Sequence, residues 1–365
     1  MNNDRELIVF AGQSNMMGAA VFPPRHIPQL SQSMEYKHKT RRLGLEKGTF
    51  STNPFPVGEF SYADIASAYG SDSNASTLST LAEYAKNTWF GPAMSNLGLD
   101  NHTLPFSTFS EKTFHNSPAL PPYFAEEWEK LGHSSAYACI SKGSTKISYY
   151  FTQEMAEEYS QRIDRYNAAN GTAYPRDLEQ SPLSLGAASY FTQKCQDFFV
   201  DAKAYFPEAN LTAKCLVWLQ GESNYLQSVQ EYYVMLDVFW KHAKKLGFTH
   251  FCILRVPFFG DPRIVNIMLA QERFCLDNPD VYMITRAASF FSYPGRDETH
   301  WFVRQQDVFH ECRDSAYGFQ NHHINEKGFR LLAERTAKNL HRILYESQDP
   351  ILEKENISAL QDSQN

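Results

Sequence analysis

Leu7-Ile8-Val9-Phe10-Ala11 runs straight into Gly12-Gln13-Ser14-Asn15-Met16-Met17-Gly18, and this junction decides the fold. The first five residues are all apolar and do not alternate with polar ones. A run this short suits a strand covered on both faces, as inside a parallel sheet. The glycines and small polar residues that follow end the strand and carry Ser14 just past it, at the C-terminal edge of the sheet.

Four further runs have the same character: AYACI at 136–140, AKCLVW at 213–218, FCILRV at 251–256 and VYMI at 281–284. Helical periodicity separates several of them. Val229, Tyr232, Tyr233, Leu236, Phe239, Trp240 and Ala243 recur at three- and four-residue steps and so share one helical face. Comparable patterns span 185–206, 264–276 and 325–345. Strand alternating with helix predicts an α/β fold, a three-layer doubly wound sheet of about five mainly parallel strands. Ligands of such sheets sit beyond the C-terminal strand ends, where Ser14 is expected.

Residues 19–121 break this pattern and are rich in Pro, Ser, Asn, Gly and aromatic residues. So long an irregular stretch is usually functional, and it reads as an insertion after the first strand that shapes the mouth of the site. A second irregular stretch covers 289–321. Residues 1–345 are expected to form a single domain, with 346–365 a polar, loosely attached tail.

Composition narrows the function classes. Lys and Arg number 34 against 41 Asp and Glu, a net charge of −7 over 365 residues. That balance opposes nucleic-acid binding, which draws its affinity from basic residues on phosphate. Hydrophobic residues make up 42% and charged residues 21%, as in a folded globular chain. The 27 Phe, 20 Tyr and 5 Trp supply a large core, with rings to spare for lining a sugar cleft. Cys139, Cys195, Cys215, Cys252, Cys275 and Cys312 form no C-x-x-C, so a reducing compartment is the simplest expectation. The first residues lack a secretory pattern and no run of about 18 apolar residues occurs. A cytoplasmic protein without a membrane span is therefore expected. Lys37-His38-Lys39-Thr40-Arg41-Arg42 is the one dense basic run, either a solvated patch or an attractor for an acidic glycan.

Phosphate-cradling glycine motifs are missing from the sequence, and no cofactor is expected. His300, His310, His322 and His323 match no common zinc spacing, so no metal is expected either. Serine is a poor nucleophile unless a base, usually His, takes its proton. It also needs donors aimed at the oxyanion that develops on the attacked carbonyl.

The block GQSNMMG at 12–18 resembles the first signature of the sialic-acid-specific acetylesterase-like branch of the SGNH hydrolases, which includes carbohydrate esterase family 6. The segment WLQGESN at 218–224 is similar to that branch's W-x-Q-G-E-S-D/N block. ISKGST at 140–145 looks like its glycine block, and HINEKG at 323–328 resembles the closing block that holds the catalytic His. The four occur in the family's order and together make a specific signal.

The resemblance implies an SGNH/flavodoxin-like sheet and a set of roles. Ser14 would attack an ester carbonyl, with His323 as general base and then general acid. The N–H groups of Ser14 and Gly143 and the side-chain amide of Gln220 would form the oxyanion hole. Glu222 would brace the site by accepting hydrogen bonds from nearby backbone or from Gln13. The implied substrate is an O-acetylated carbohydrate, deacetylated through an acetyl-serine intermediate. The same acyl-serine in a dry site would make a sugar O-acyltransferase, and a disabled site a carbohydrate-binding pseudoenzyme.

One departure bears on that choice. The family's closing block is D-x-x-H, but position 320 is Gln and 321 is Asn. The imidazole could be oriented by a carboxylate from the second irregular stretch, where Asp297, Glu298, Asp307 and Asp314 are available. A backbone carbonyl or Gln320 could serve instead, leaving a Ser–His dyad. In a third arrangement, Asp297-Glu298-Thr299-His300 is itself the D-x-x-H block.

Overall fold

A computed structural model of the chain describes residues 4–18, 28, 30–37, 49–51, 119–141, 143, 145–176, 178, 184–257, 261–290, 324 and 326–353. The five apolar runs form strands: β1 (Asp4–Gly12), β4 (Ser135–Ser141), β5 (Asn210–Leu219), β6 (His250–Leu254), which ends before Arg255 and Val256 of its run, and β7 (Val281–Thr285). Two short strands from the insertion, β2 (Met34–Lys37) and β3 (Thr49–Ser51), extend the sheet to seven, in the order β3-β2-β4-β1-β5-β6-β7. Among the described residues, only the β2–β3 pairing is antiparallel.

Helices follow the strands: α1 (Ser14–Met17), α2 (Leu120–Lys130), α3 (Gln153–Asn170), α4 (Ser184–Tyr205), α5 (Val229–Lys245), α6 (Ile264–Asp277) and α7 (Glu326–Tyr345). They cover both faces of the sheet, and successive side chains of β1 divide between the two cores. Leu7, Val9 and Ala11 belong to a cluster with Tyr159 of α3, Phe191 and Phe198 of α4, Phe239 of α5 and Ile267 of α6. Ile8 and Phe10 belong to the other, with Phe124 and Trp128 of α2 and Leu332 and Leu340 of α7. Strands apolar on both faces are what this double covering requires.

The expected sheet of about five strands therefore gains two, and both come from residues assigned to the insertion. Met34-Glu35-Tyr36-Lys37 contains no apolar run, so its sequence carries no strand signal. What holds it is tertiary. Glu129 of α2 accepts from the Ser31 N–H at 2.8 Å, the Ser31 hydroxyl at 2.7 Å and the Gln32 N–H at 2.9 Å, just before the strand. Burial pushes the Glu129 carboxyl up, but the N–H groups of Ser33, Ser31 and Gln32 and the Ser31 hydroxyl outweigh it and hold it below the usual range. Helix α2 begins at Leu120-Pro121-Pro122. Proline is tolerated there because the first-turn N–H groups have no intrahelical acceptor.

The chain after α7 also departs from expectation as far as Glu353. Asn339 of α7 accepts from the Ile351 N–H at 2.8 Å and donates to the Ile351 carbonyl at 3.1 Å and to the Ile284 carbonyl of β7 at 2.8 Å. Glu353 is buried and accepts from the Thr285 hydroxyl at 2.8 Å and the Arg286 N–H at 2.6 Å. Residues 351–353 are thus docked beside the end strand β7 rather than trailing from the domain. Residues 354–365 lie outside the described residues.

At the opposite end of the sheet from Gly12, His133 Nε2 and His341 Nδ1 stand 2.7 Å apart, so the pair shares a single proton between those atoms. Burial lowers the His133 pKa; nearby Glu6 opposes that shift and His341 adds to it. A depressed folded-state pKa means that the unfolded chain binds the proton first. Stability from this group is present above the ordinary value of 6.5 and is lost as the pH falls through the lower folded value. Relative to His133→Gln, the native protein should lose melting temperature as the pH is lowered from 7.5 to 5. An unchanged slope in the variant would remove this pair as a cause.

Candidate active site

Register brings the separated sequence blocks together. Gly12 at the end of β1 pairs with Ser141 of β4 on one side and Leu219 of β5 on the other. Ser14, Gly143 and the 220–224 loop therefore leave three adjacent strands at one edge. This is the C-terminal edge of the parallel sheet, where ligands of such folds sit.

The approach is close enough to require glycine. Gly12 has φ +155°, and a Cβ there would lie 2.1 Å from the Leu219 carbonyl oxygen. Gly221, at φ +147°, would drive a Cβ to 2.7 Å from Ile267 Cγ2 of α6. Between these contacts the chain turns sharply into α1. Ser14 is the first residue of α1 and is partly exposed. Its N–H has no carbonyl one turn earlier to bond. Gly18 closes α1 in the left-handed conformation, φ 85°, donating back to the Ser14 carbonyl at 3.0 Å.

Gln13 and Gln220 knit the three loops. Gln13 is buried, and its Oε1 accepts from the Ser223 N–H at 3.2 Å. The Gln13 N–H donates to the Leu219 carbonyl at 3.3 Å. Gln220 Nε2 donates to the Thr145 carbonyl at 3.0 Å and Asn224 Oδ1 at 2.6 Å, with Gln13 Oε1 farther away at 3.4 Å. Its Oε1 accepts from the Tyr232 hydroxyl at 2.8 Å, and its own carbonyl accepts from Gln271 Nε2 at 2.9 Å. Asn224 Oδ1 also accepts from the Ile147 N–H at 2.9 Å. The segment after Gly143 is thereby tied to the loop after β5. Both amide protons of Gln220 are committed in this arrangement. To donate to an oxyanion, as the resemblance implies, Gln220 would have to give up one of those bonds.

Glu222 is buried, and its Oε1 accepts from Asn15 Nδ2 at 2.9 Å. The side-chain donor is Asn15 rather than the expected Gln13, while the expected backbone donors are the N–H groups of Glu222 and Gly221. Burial pushes the Glu222 carboxyl up to about 7, against the pull of the Asn15 amide and the N–H groups of Glu222 and Gly221. Among the described residues its buried Oε2 has no hydrogen-bond partner. Asn15 reaches the other way as well. Its Oδ1 accepts from the Ile324 N–H at 2.9 Å, across 309 positions of sequence.

His323 itself lies outside the described residues, as do Asp297, Glu298, His300, Asp307, His310, Asp314, Gln320, His322, Lys142 and residues 38–42. The described residues contain no group of three or more metal-binding side chains, and no helix among them is long and apolar enough to cross a membrane. Sequence reading missed Asn15, Asn224, Tyr232 and Gln271 as members of the site. Asn15 and Asn224 lie inside the quoted blocks, so their type and place were visible. Tyr232 and Gln271 read as ordinary residues of helical faces, with nothing in their spacing to mark them.

The raised pKa of Glu222 carries a sign. Its unfolded value is the ordinary 4.5, so between there and about 7 the folded state holds a proton that the unfolded chain has lost. The stability from this group is complete below 4.5 and is lost as the pH rises through about 7. Glu222→Gln removes the ionisation while keeping an acceptor for Asn15. Its melting temperature should gain on that of the native protein between pH 5 and pH 8. Parallel curves would show that Glu222 does not titrate in that range.

No family model and no curated protein matches the chain. Among solved structures it is similar to NanS, with a TM-score of 0.49 and 12% identity over 94% of this chain and 99% of that one. A protein from Arabidopsis thaliana gives a TM-score of 0.45 and 10% identity, over 92% of this chain and 97% of that one. A carbohydrate acetylesterase from Xanthomonas citri gives 0.45 and 12%, over 94% of this chain and 57% of that one. Likenesses this distant leave the chemistry of the site to its own residues.

Proposed function

We propose that the protein is a serine esterase that removes O-acetyl groups from a carbohydrate. One observation supports this above the others: Ser14, Gly143 and the 220–224 loop leave three adjacent strands at one edge, while the Ile324 N–H is bonded to Asn15, the residue after Ser14. The peptide following His323 is thereby brought to the neighbour of Ser14. The acetylated-carbohydrate class comes from the resemblance of the four sequence blocks, and the aromatic content suits a sugar cleft.

In the proposed reaction His323 takes the Ser14 proton as Oγ attacks the acetyl carbonyl. The Ser14 and Gly143 N–H groups stabilise the oxyanion, and Gln220 holds the segment bearing Gly143. Collapse of the tetrahedral intermediate expels the sugar alcohol, which takes its proton from His323. Water activated by the same imidazole then attacks the acetyl-serine. It releases acetate and regenerates the Ser14 hydroxyl. The orienting group for His323, whether Asp297, Asp314 or a backbone carbonyl, is part of the proposal that mutagenesis must assign.

Acetate release from acetylated sugars and aryl acetates tests the reading. Ser14→Ala should lower kcat by at least about 10⁴-fold, and a serine-directed phosphonate should label Ser14 stoichiometrically. Acetyl transfer to an added sugar in preference to water would make the protein an acyltransferase. Absence of both turnover and labelling would leave a carbohydrate-binding protein.

A further inference from the structure

We propose that Glu222 and Asn15 form a positioning pair that holds the peptide joining His323 to Ile324 against the residue beside the nucleophile. The inference rests on the esterase reading and deepens it, by assigning Asn15 a task separate from that of Ser14. Asn15 is buried between two partners of opposite character. On one side Nδ2 donates to Glu222 Oε1 at 2.9 Å; on the other, Oδ1 accepts from the Ile324 N–H at 2.9 Å. A flipped amide would set NH2 against the Ile324 N–H, with no hydrogen bond there, and its oxygen against Glu222 Oε1, which repels it when the carboxyl is ionised. Glu222 therefore selects the one amide orientation that can hold Ile324.

The spans explain why such a pair is needed. Asn15 to Glu222 bridges 207 positions and Asn15 to Ile324 bridges 309. The link to Glu222 joins the segments that follow two neighbouring strands of one sheet, β1 and β5. Ile324 belongs to no strand; it precedes α7, so sheet hydrogen bonds cannot set its position relative to Ser14. Its backbone is placed instead through a side chain anchored to the rigid β1–β5 edge. Ile324 itself is buried with Met16 and Phe329 in the second core, which adds a hydrophobic hold but no directional one. Ionisation of Glu222 strengthens the bond to Asn15 without being required for it, because either protonation state leaves Oε1 an acceptor.

The test compares Asn15→Ala, Glu222→Ala, Glu222→Gln and the Asn15→Ala/Glu222→Ala double variant in the full chain. Two quantities are read: kcat and KM on an aryl acetate, and hydrogen exchange at the Ile324 amide. A small displacement of a catalytic group costs about a hundredfold in rate. Asn15→Ala and Glu222→Ala should each lower kcat on that scale with KM little changed. The double variant should be no worse than Asn15→Ala, because the two residues act in series. Glu222→Gln should recover most of kcat. Exchange protection at Ile324 should fall in both alanine variants and persist in Glu222→Gln and Ser14→Ala. Should Asn15→Ala not fold, Glu222→Ala reads the same quantities with Asn15 still present.

Unchanged Ile324 protection in folded alanine variants would overturn the pairing. So would additive losses, or a Glu222→Gln variant as impaired as Glu222→Ala. If the native protein shows no esterase activity while the exchange pattern appears as expected, the esterase reading fails and the positioning of Ile324 stands.

Discussion

Everything at the candidate site depends on how closely β1 and β5 finish beside one another. The Leu219 carbonyl oxygen lies where a Cβ on residue 12 would be, 2.1 Å away, so only glycine allows the two strands to end in this register. The Gln13 N–H then reaches the Leu219 carbonyl, and the chain turns into α1 with Ser14 at its start. A bulkier residue would push the strand ends apart. Because the polar contacts beyond them are short-ranged and directional, a separation of even one ångström would break several at once. The site is thus a consequence of backbone proximity first and of side-chain chemistry second.

Above that close contact lies a buried layer of amides and a carboxylate. Gln13, Asn15, Gln220, Glu222 and Asn224 are all buried, and each has a named partner on another element or loop. Burying so many polar groups is unfavourable unless they are paired, and pairing makes each loop's position depend on the next. The layer is supported from below by the Tyr232 hydroxyl of α5 and Gln271 of α6, both bonded to Gln220. Those helices are in turn packed on the sheet through the larger apolar core. Rigid elements thereby reach the mouth through a continuous set of directional contacts, a base that would suit the attack on a carbonyl proposed for Ser14.

The strands were legible for a physical reason. Residues such as Val9 and Phe10 or Leu216 and Val217 are apolar in succession because both sheet faces are covered, and that condition writes itself into a local run. The helical face of α5 was equally plain, since Tyr232, Leu236, Phe239 and Trp240 keep helical spacing. Strand β2 was not legible: Met34-Glu35-Tyr36-Lys37 joins the sheet by virtue of Glu129, a residue almost a hundred positions away. The docking of Glu353 escaped notice likewise, because a polar tail and a polar segment bonded to Thr285 and Arg286 have the same composition.

By itself the sequence determined which segments are buried, and hence the alternating strands and helices and the placing of Ser14 just past the first strand. It also displayed the amide-rich blocks, since their residue types are local facts. Only the tertiary structure decided which atoms meet. Asn15 rather than Gln13 bonds Glu222, and Gln220 spends its protons on Thr145 and Asn224. Hydrogen bonds fall off within fractions of an ångström, whereas burial is a property of a whole run, so patterning can announce a strand but cannot say which amide its end will face.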